Sequence, residues 1–338
     1  MPGTASPASP ASPAFRRRRP AAVTAAVLCC VLAGGAGAWA LFGPEGGDGG
    51  CAGLLRNERV RAALGEAHDS GLGCARLGAE IKKATTGPEQ GRHSLRQAQA
   101  MKDVLVAVDE ELQRPGGRVS RRLFTPLAEA LADYPADTEA ILGVRSTEYA
   151  FKGPPAEPAW RDDEGVHMSV PRTALLRVVR VLSEEPAAYV ALRQAATRRA
   201  AEGLVAAGPG PGDAGLDAAA GRNARTLGVW DAVAADVRHD GVEEDTARWD
   251  HDVIKGLTGN AGERSARAAR AKDPVNRLVG TWRRMLLGQH ASLEEQSAVM
   301  ADLRGKAVGL GPAVRGSLRK ACLDTASGAR ERTLRELG

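Results

Sequence analysis

HSLRQAQAMKDVLVAVDEELQ, residues 93–113, decides the fold class. Its apolar positions Leu95, Ala98, Met101, Leu105, Val108 and Leu112 recur at intervals of three and four, which puts them in one stripe along one side of a helix. His93 stands at the start of that helix beside Ser94. Arg114-Pro115-Gly116-Gly117 closes it, since proline brings no amide donor and the glycines permit a reversal. The same periodicity returns in Leu123, Leu127, Leu131 and Tyr134 ahead of Pro135, and in Leu175, Val178 and Leu182. Pro186 then suits a first turn before Tyr189, Leu192, Ala196 and Ala200. Later, Asp273-Pro274 reads as an N-cap and first turn before Val275, Leu278, Trp282 and Leu286, and Ser292-Leu293-Glu294-Glu295 fits a capping box. No alternating β-branched run is long enough for a sheet; the best strand candidate, residues 166–170, stands alone. Short turns between such helices make antiparallel neighbours, so the expected architecture is an all-α multi-helix bundle.

At the N-terminus, Arg16-Arg17-Arg18-Arg19 runs into an uncharged segment, residues 21–42 (AAVTAAVLCCVLAGGAGAWALF). As a helix these 22 residues span about 33 Å, the thickness of a bilayer's hydrocarbon core. The arginines keep the first 20 residues in the cytoplasm and send the rest outward. The predicted topology is a single transmembrane helix followed by an extracytoplasmic domain. A cleaved signal peptide is the competing reading, because Ala36-Gly37-Ala38 and Ala38-Trp39-Ala40 offer small-x-small cleavage patterns, and cleavage near Ala40 would give a secreted protein. The anchor is preferred because the run exceeds a usual signal core and ends in Trp39, Leu41 and Phe42, which suit a membrane interface. Neither a lipid-attachment pattern nor a twin-arginine signal is present.

The formal net charge is +5 and the pI is near 9.1, which invites a nucleic-acid reading. Four of the positive charges are Arg16 to Arg19, and two negative ones are Glu45 and Asp48; the remainder sets 42 basic against 39 acidic residues, interspersed. The basic excess belongs largely to the topology signal, so no nucleic-acid partner is expected. Of five cysteines, Cys29 and Cys30 lie in the apolar run, leaving Cys51, Cys74 and Cys322 as disulfide candidates. One disulfide plus one leftover thiol is the natural reading in an exported domain. Cys51 and Cys74 flank a short helical stretch, while Cys322 lies with Val314 and Leu318 on the apolar side of a terminal helix, open to burial or to a bridge with the N-terminal cysteines.

The chain divides into a disordered cytoplasmic tail (1–20), the membrane segment (21–42), a flexible spacer (43–50), a helical subdomain (51–152), a Pro-rich connection (153–170) and a second helical subdomain (171–338). Residues 208–212, GPGPG, form a turn within the second. Residues 210–215 match G-x-G-x-x-G by letter, but Pro209 and Pro211 lack amides and no strand precedes them, so a dinucleotide site is rejected.

The densest polar constellation is residues 239–245 followed by Asp250-His251-Asp252. His239, Glu243, Glu244 and His251 are the candidate metal ligands, since on a continuous helix their spacings of four and seven align them on one side. Gly241 is positioned to break that helix, and a solvated face is the plainer reading. There is no H-E-x-x-H, G-x-S-x-G or P-loop, and no catalytic residue or cofactor is assigned. Trp160, Trp230, Trp249 and Trp282 read as core anchors.

Residues 81–87 (IKKATTG), 93–105, 123–142 (LFTPLAEALADYPADTEAIL) and 175–195 (LLRVVRVLSEEPAAYVALRQA) resemble a group of helical proteins of high-GC actinobacteria associated with specialised secretion or polymorphic-toxin systems. The likeness covers the middle of the chain, rests on helix patterns and transfers no catalytic residue. It implies an exported helical protein that works through protein partners. The expected function is thus a single-pass, membrane-anchored interaction or scaffold component; the alternative is an exported metal-dependent enzyme or secreted effector.

Overall fold

Ser94 starts the helix that the opening stripe predicts. In the computed structural model, which describes residues 49–143, 146–208, 215–259 and 272–338, Ser94 Oγ accepts from the Gln97 amide at 3.2 Å and Gln97 Oε1 accepts from the Ser94 amide at 2.8 Å. This capping box satisfies two amides that the helix itself leaves unpaired. His93 stands just before the cap; its ring stacks on Tyr134 at 3.7 Å and its Nε2 lies 2.9 Å from Asp133 Oδ2.

Fourteen helices are present among the described residues. The first group is α1 (Gly49–Arg56), α2 (Glu58–Leu64), α3 (Cys74–Thr85), α4 (Leu95–Gln113), α5 (Phe124–Leu131), α6 (Pro135–Leu142) and α7 (Thr147–Lys152). Gly49 and Gly50, read as the end of a spacer, are helical, with Gly50 set close against Ser120. Pro135 does more than end α5, since it occupies the first turn of α6. A two-stranded ribbon follows, β1 (Trp160–Arg161) paired antiparallel with β2 (Val166–His167). The strand expected to stand alone thus has a partner, one too short to show alternation in sequence. Then come α8 (Arg172–Leu182), α9 (Pro186–Ala206), α10 (Leu216–Asp240), α11 (Glu243–Thr258), α12 (Pro274–Leu287), α13 (Gln296–Ala307) and α14 (Pro312–Leu337). Asp273 caps α12 as predicted, accepting from Val275 N and Asn276 N at 3.2 and 3.3 Å. The Ser292–Glu295 reciprocal bonds also form, just ahead of α13.

Residues Gly47–Gly338 form one unit with a continuous apolar core. α4 packs on α8 and α5 on α9, so helices from both sides of the 153–170 connection share that core. Trp230, Trp249 and Trp282 are buried in it as read, whereas Trp160 is half-buried against Tyr149 and His167. Val314, placed beside Cys322 by the stripe, is 56% exposed; Cys322 itself is buried and unbridged, and burial pushes its thiol up to about 11. Among the described residues no helix is long and apolar enough to cross a membrane. The tail, the membrane segment and most of the spacer lie outside them, as do residues 209–214 of the GPGPG turn, whose flanks Gly208 and Gly215 meet in an isolated bridge.

Two close approaches fix the ends of the unit. Cys51 and Cys74, fully buried, form a disulfide that ties α1 to the start of α3 across a separation of 23 residues. At the other end, α10 and α14 lie against each other along most of their length, and a Cβ on Gly228 would fall 2.3 Å from Ala326 O. Only a glycine lets the two backbones meet there. Gly228→Ala is therefore expected to destabilise by about 1–3 kcal/mol through overpacking, whereas Gly221→Ala, on the same helix in open space, should gain roughly 0.5–1 kcal/mol from helix propensity; urea unfolding of the pair checks both signs. Cys74→Ser, or reduction, should cost about 3 kcal/mol, the chain-entropy value for a loop of this size, read as a lower thermal midpoint than that of the oxidised protein.

Candidate functional site

The constellation of His239, Glu243, Glu244 and His251 is split by a corner. α10 ends at Asp240, Gly241 is extended at φ −86° and ψ 154°, and α11 begins at Glu243, so the four residues occupy two helices. His239 is 88% exposed with Nδ1 3.6 Å from Asp240 Oδ1, and Glu244 pairs with Arg248 at 3.2 Å. His251 is exposed on α11. Among the described residues no group of three or more His, Cys, Asp or Glu is placed to hold a metal ion. The structure thus does not bring the four candidates together. The acidic density has a local reason: Glu243, Glu244 and Asp245 fill the first turn of α11, where negative charge meets the positive end of the helix dipole.

The same corner forms one wall of a groove of about 910 Å³ facing the α8–α9 turn. Val190, Val237 and Trp249 supply its apolar surface, and the Trp249 Nε1–H donates to Ser183 O at 2.9 Å, which holds the ring in place. Arg180 of α8 stands between carboxylates from α10 and the α8–α9 turn: Nε donates to Asp236 Oδ2 at 2.8 Å, and its terminal nitrogens pair with Asp240 and with Glu184 of the turn. These carboxylates hold the guanidinium's pKa above its ordinary value against the opposing effect of burial. A second groove of about 720 Å³ lies on the other side of Arg180 and Asp240, which line both. Arg180, Glu184 and Glu185 carry no local signature in sequence, because the groove exists only where α8, α9, α10 and α11 meet.

A second polar cluster gathers on the connection that the sequence reads as irregular. His167 of β2 places Nδ1 2.9 Å from Asp137 Oδ1 and Nε2 3.0 Å from Asp162 Oδ1. Tyr149 OH donates to Asp137 Oδ1 at 2.6 Å and lies 2.9 Å from His167 Nδ1, and Met168 N donates to Asp137 Oδ2 at 3.2 Å. The hydrogen bond to Asp137 leads in raising the His167 pKa to about 9, against a lowering by burial. At neutral pH the ring is an imidazolium with both N–H groups facing carboxylates, so it has no lone pair with which to act as a base. Burial and Asp137 push the Tyr149 phenol well above its ordinary range, so it remains a donor. The arrangement clasps the ribbon to α6 and α7. Sequence reasoning missed Tyr149, His167, Asp137 and Asp162 as a group, because up to 30 residues separate partners that share no periodic signal. Nearby, the buried Lys102 of α4 donates to Lys152 O at 2.6 Å, and burial lowers its pKa to about 8.

The third cluster is interior. Arg193 of α9 has no exposed side-chain surface; its Nη2 pairs with Asp231 of α10 at 2.9 Å and donates to Leu293 O at 3.1 Å. Its Nε donates to Gln296 Oε1 at 2.9 Å and its Nη1 to Leu227 O at 3.2 Å. Burial pushes Asp231 up to about 6, with Arg193 opposing. This is a structural lock closed to any ligand. A crevice between α5–α6 and α9–α10, lined by Thr138, Arg199 and Trp230, is similarly closed by size: at about 20 Å³ it has the room of one water.

No protein family, no curated protein and no solved structure matches this chain. The geometry of its own residues is accordingly what a functional reading has to stand on.

The His167 clasp predicts a pH dependence of definite sign. A folded pKa near 9 lies above the ordinary value of about 6.5, so the stabilisation is complete below about pH 6.5 and is lost as pH rises through about 9. Lys102, with its pKa lowered, contributes the opposite slope between about 8 and its ordinary 10.5, so the informative quantity is the difference between wild type and His167→Gln. That difference should shrink by on the order of 3 kcal/mol between pH 6 and pH 10 in urea unfolding; a difference that stays constant with pH would exclude the imidazolium.

Proposed function

We propose that this chain is a single-pass membrane protein whose helical unit acts outside the cytoplasm as a protein-binding or scaffold component of an envelope or secretion assembly. Residues 21–42 provide the membrane contact and Arg16 to Arg19 the inside-facing end. The observation that carries the reading is the Cys51–Cys74 pair, buried and joined at a Cα separation of 5.6 Å. Structural disulfides persist in oxidising compartments and are rare in the cytosol, and this one begins within ten residues of the apolar run that would export it. The open groove at the α10–α11 corner supports a binding role, because it offers a formed concave surface with both charged and apolar lining.

Topology and oxidation state test this together. Fractionation of cells expressing the full chain, followed by intact-mass measurement with and without reduction, should find an unprocessed N-terminus in the membrane fraction. Thiol labelling without reductant should leave Cys51 and Cys74 unmodified, and a C-terminal alkaline phosphatase fusion should be active. A fusion fluorescent only in the cytoplasm, with both thiols labelled, would overturn the reading; a shortened chain in the medium would convert it to a secreted binding protein.

A further inference from the structure

The sign of the charge in the groove identifies what it recognises. Arg121, Arg180, Arg238 and Arg248 line it, and each is already met by carboxylate: Arg180 by Glu184, Asp236 and Asp240, Arg238 by Asp250 and Glu294, Arg248 by Glu244 and Asp245, and Arg121 by Glu184. Glu185 and Asp252 line the same groove and make no ion pair among the described residues. The lining thus sets four guanidiniums against five carboxylates, Glu184, Glu185, Asp240, Asp245 and Asp252, and every guanidinium is already paired, so the unanswered charge is the negative one of Glu185 and Asp252. A polyanion such as nucleic acid or an acidic membrane surface is repelled by this field.

The remaining lining narrows the cation. Val190 and Val237 are half-buried apolar groups, Val242 on the rim is 66% exposed, and the edge of the buried Trp249 closes the floor beneath them. Such a surface suits a lysine or arginine side chain, whose methylene stem lies on apolar groups while its head reaches carboxylate. The volume of about 910 Å³ exceeds what one side chain needs, and Arg180 and Asp240 also wall the adjoining groove of about 720 Å³. The space therefore accommodates neighbours on either side of the basic residue, which a free amine would leave unfilled.

We propose that this groove binds a segment of a partner protein in which a lysine or arginine is flanked by apolar residues. The basic head enters on the side of Glu185 and Asp252, and its apolar neighbours cover Val190, Val237 and Val242. The assignment rests on the reading of the unit as a binding module and names the chemistry of its partner.

Panning a random dodecamer peptide library on the detergent-solubilised full chain tests it. Enriched peptides should carry a basic residue between apolar ones, and a synthetic representative should bind about ten-fold more weakly to Glu185→Gln/Asp252→Asn and at high salt. Both substituted groups make no ion pair, so the thermal midpoint of the double variant should match wild type. A peptide with its basic residue changed to glutamate should fail against the unmodified protein, which keeps the test independent of variant folding. Enriched peptides without a basic preference, or with affinity indifferent to Glu185→Gln/Asp252→Asn, would overturn the groove assignment while leaving a binding module in place. No enrichment over a blank surface would overturn the groove assignment as well, and absence of any in-cell crosslinked partner would separately overturn the binding-module reading.

Discussion

A guanidinium sealed from water has to be answered by the protein around it, and Arg193 sets that requirement at the centre of this fold. Placing a charge in a low-dielectric interior costs several kcal/mol unless an opposite charge and hydrogen-bond acceptors meet it. Here the answer comes from Asp231 on α10, Gln296 at the start of α13, and the carbonyls of Leu227 and Leu293. α9 also packs on α5, α11 and α12, so the arginine specifies how the most connected helix meets its neighbours. Apolar burial would hold these helices together in several registers, whereas a fork of fixed N–H directions accepts one.

The connection at residues 153–170 follows the same logic on a smaller scale. Its prolines and glycines suit a linker, yet its backbone is bound on both flanks. Gln99 Oε1 accepts from Ala159 N at 2.9 Å, Lys102 reaches Lys152 O, and Ser169 Oγ donates to Tyr149 O at 2.7 Å. With His167 held between Asp137 and Asp162, the segment ties α4 to α6 and α7 instead of separating two bodies. Composition alone suggested a boundary because it reports the stiffness of a segment and not what its side chains touch.

The distribution of polar groups also bears on function. The buried charges around Arg193 and His167 are paired within the protein, which leaves them with structural work. The carboxylate surplus instead lies in an open groove beside an apolar floor, where a partner can still form new contacts. The dense run at 239–252 was therefore a valid pointer to a place and a poor guide to its chemistry. Gly241 turns the chain, spreading over two helices the ligands that a single helix would have aligned.

The helical class, many helix starts and stops, and the three candidate cysteines are legible in the residues alone. Stripes at 3.6-residue period, the Ser292–Glu295 box, the Asp273 cap and first-turn prolines all act within a turn or two of chain, so each is readable where it stands. Cys51, Cys74 and Cys322 were legible as candidates, but the choice of Cys51–Cys74, with Cys322 buried and unbridged, was made by the fold. Packing in three dimensions is what brings Asp137 to His167, Arg193 to Asp231 and Gly228 to Ala326, and puts Glu185 and Asp252 in one groove. Those partners lie tens of residues apart on different elements of the fold. What selects them is the need to answer buried charge and close-packed backbone in three dimensions, a demand that has no period along the chain.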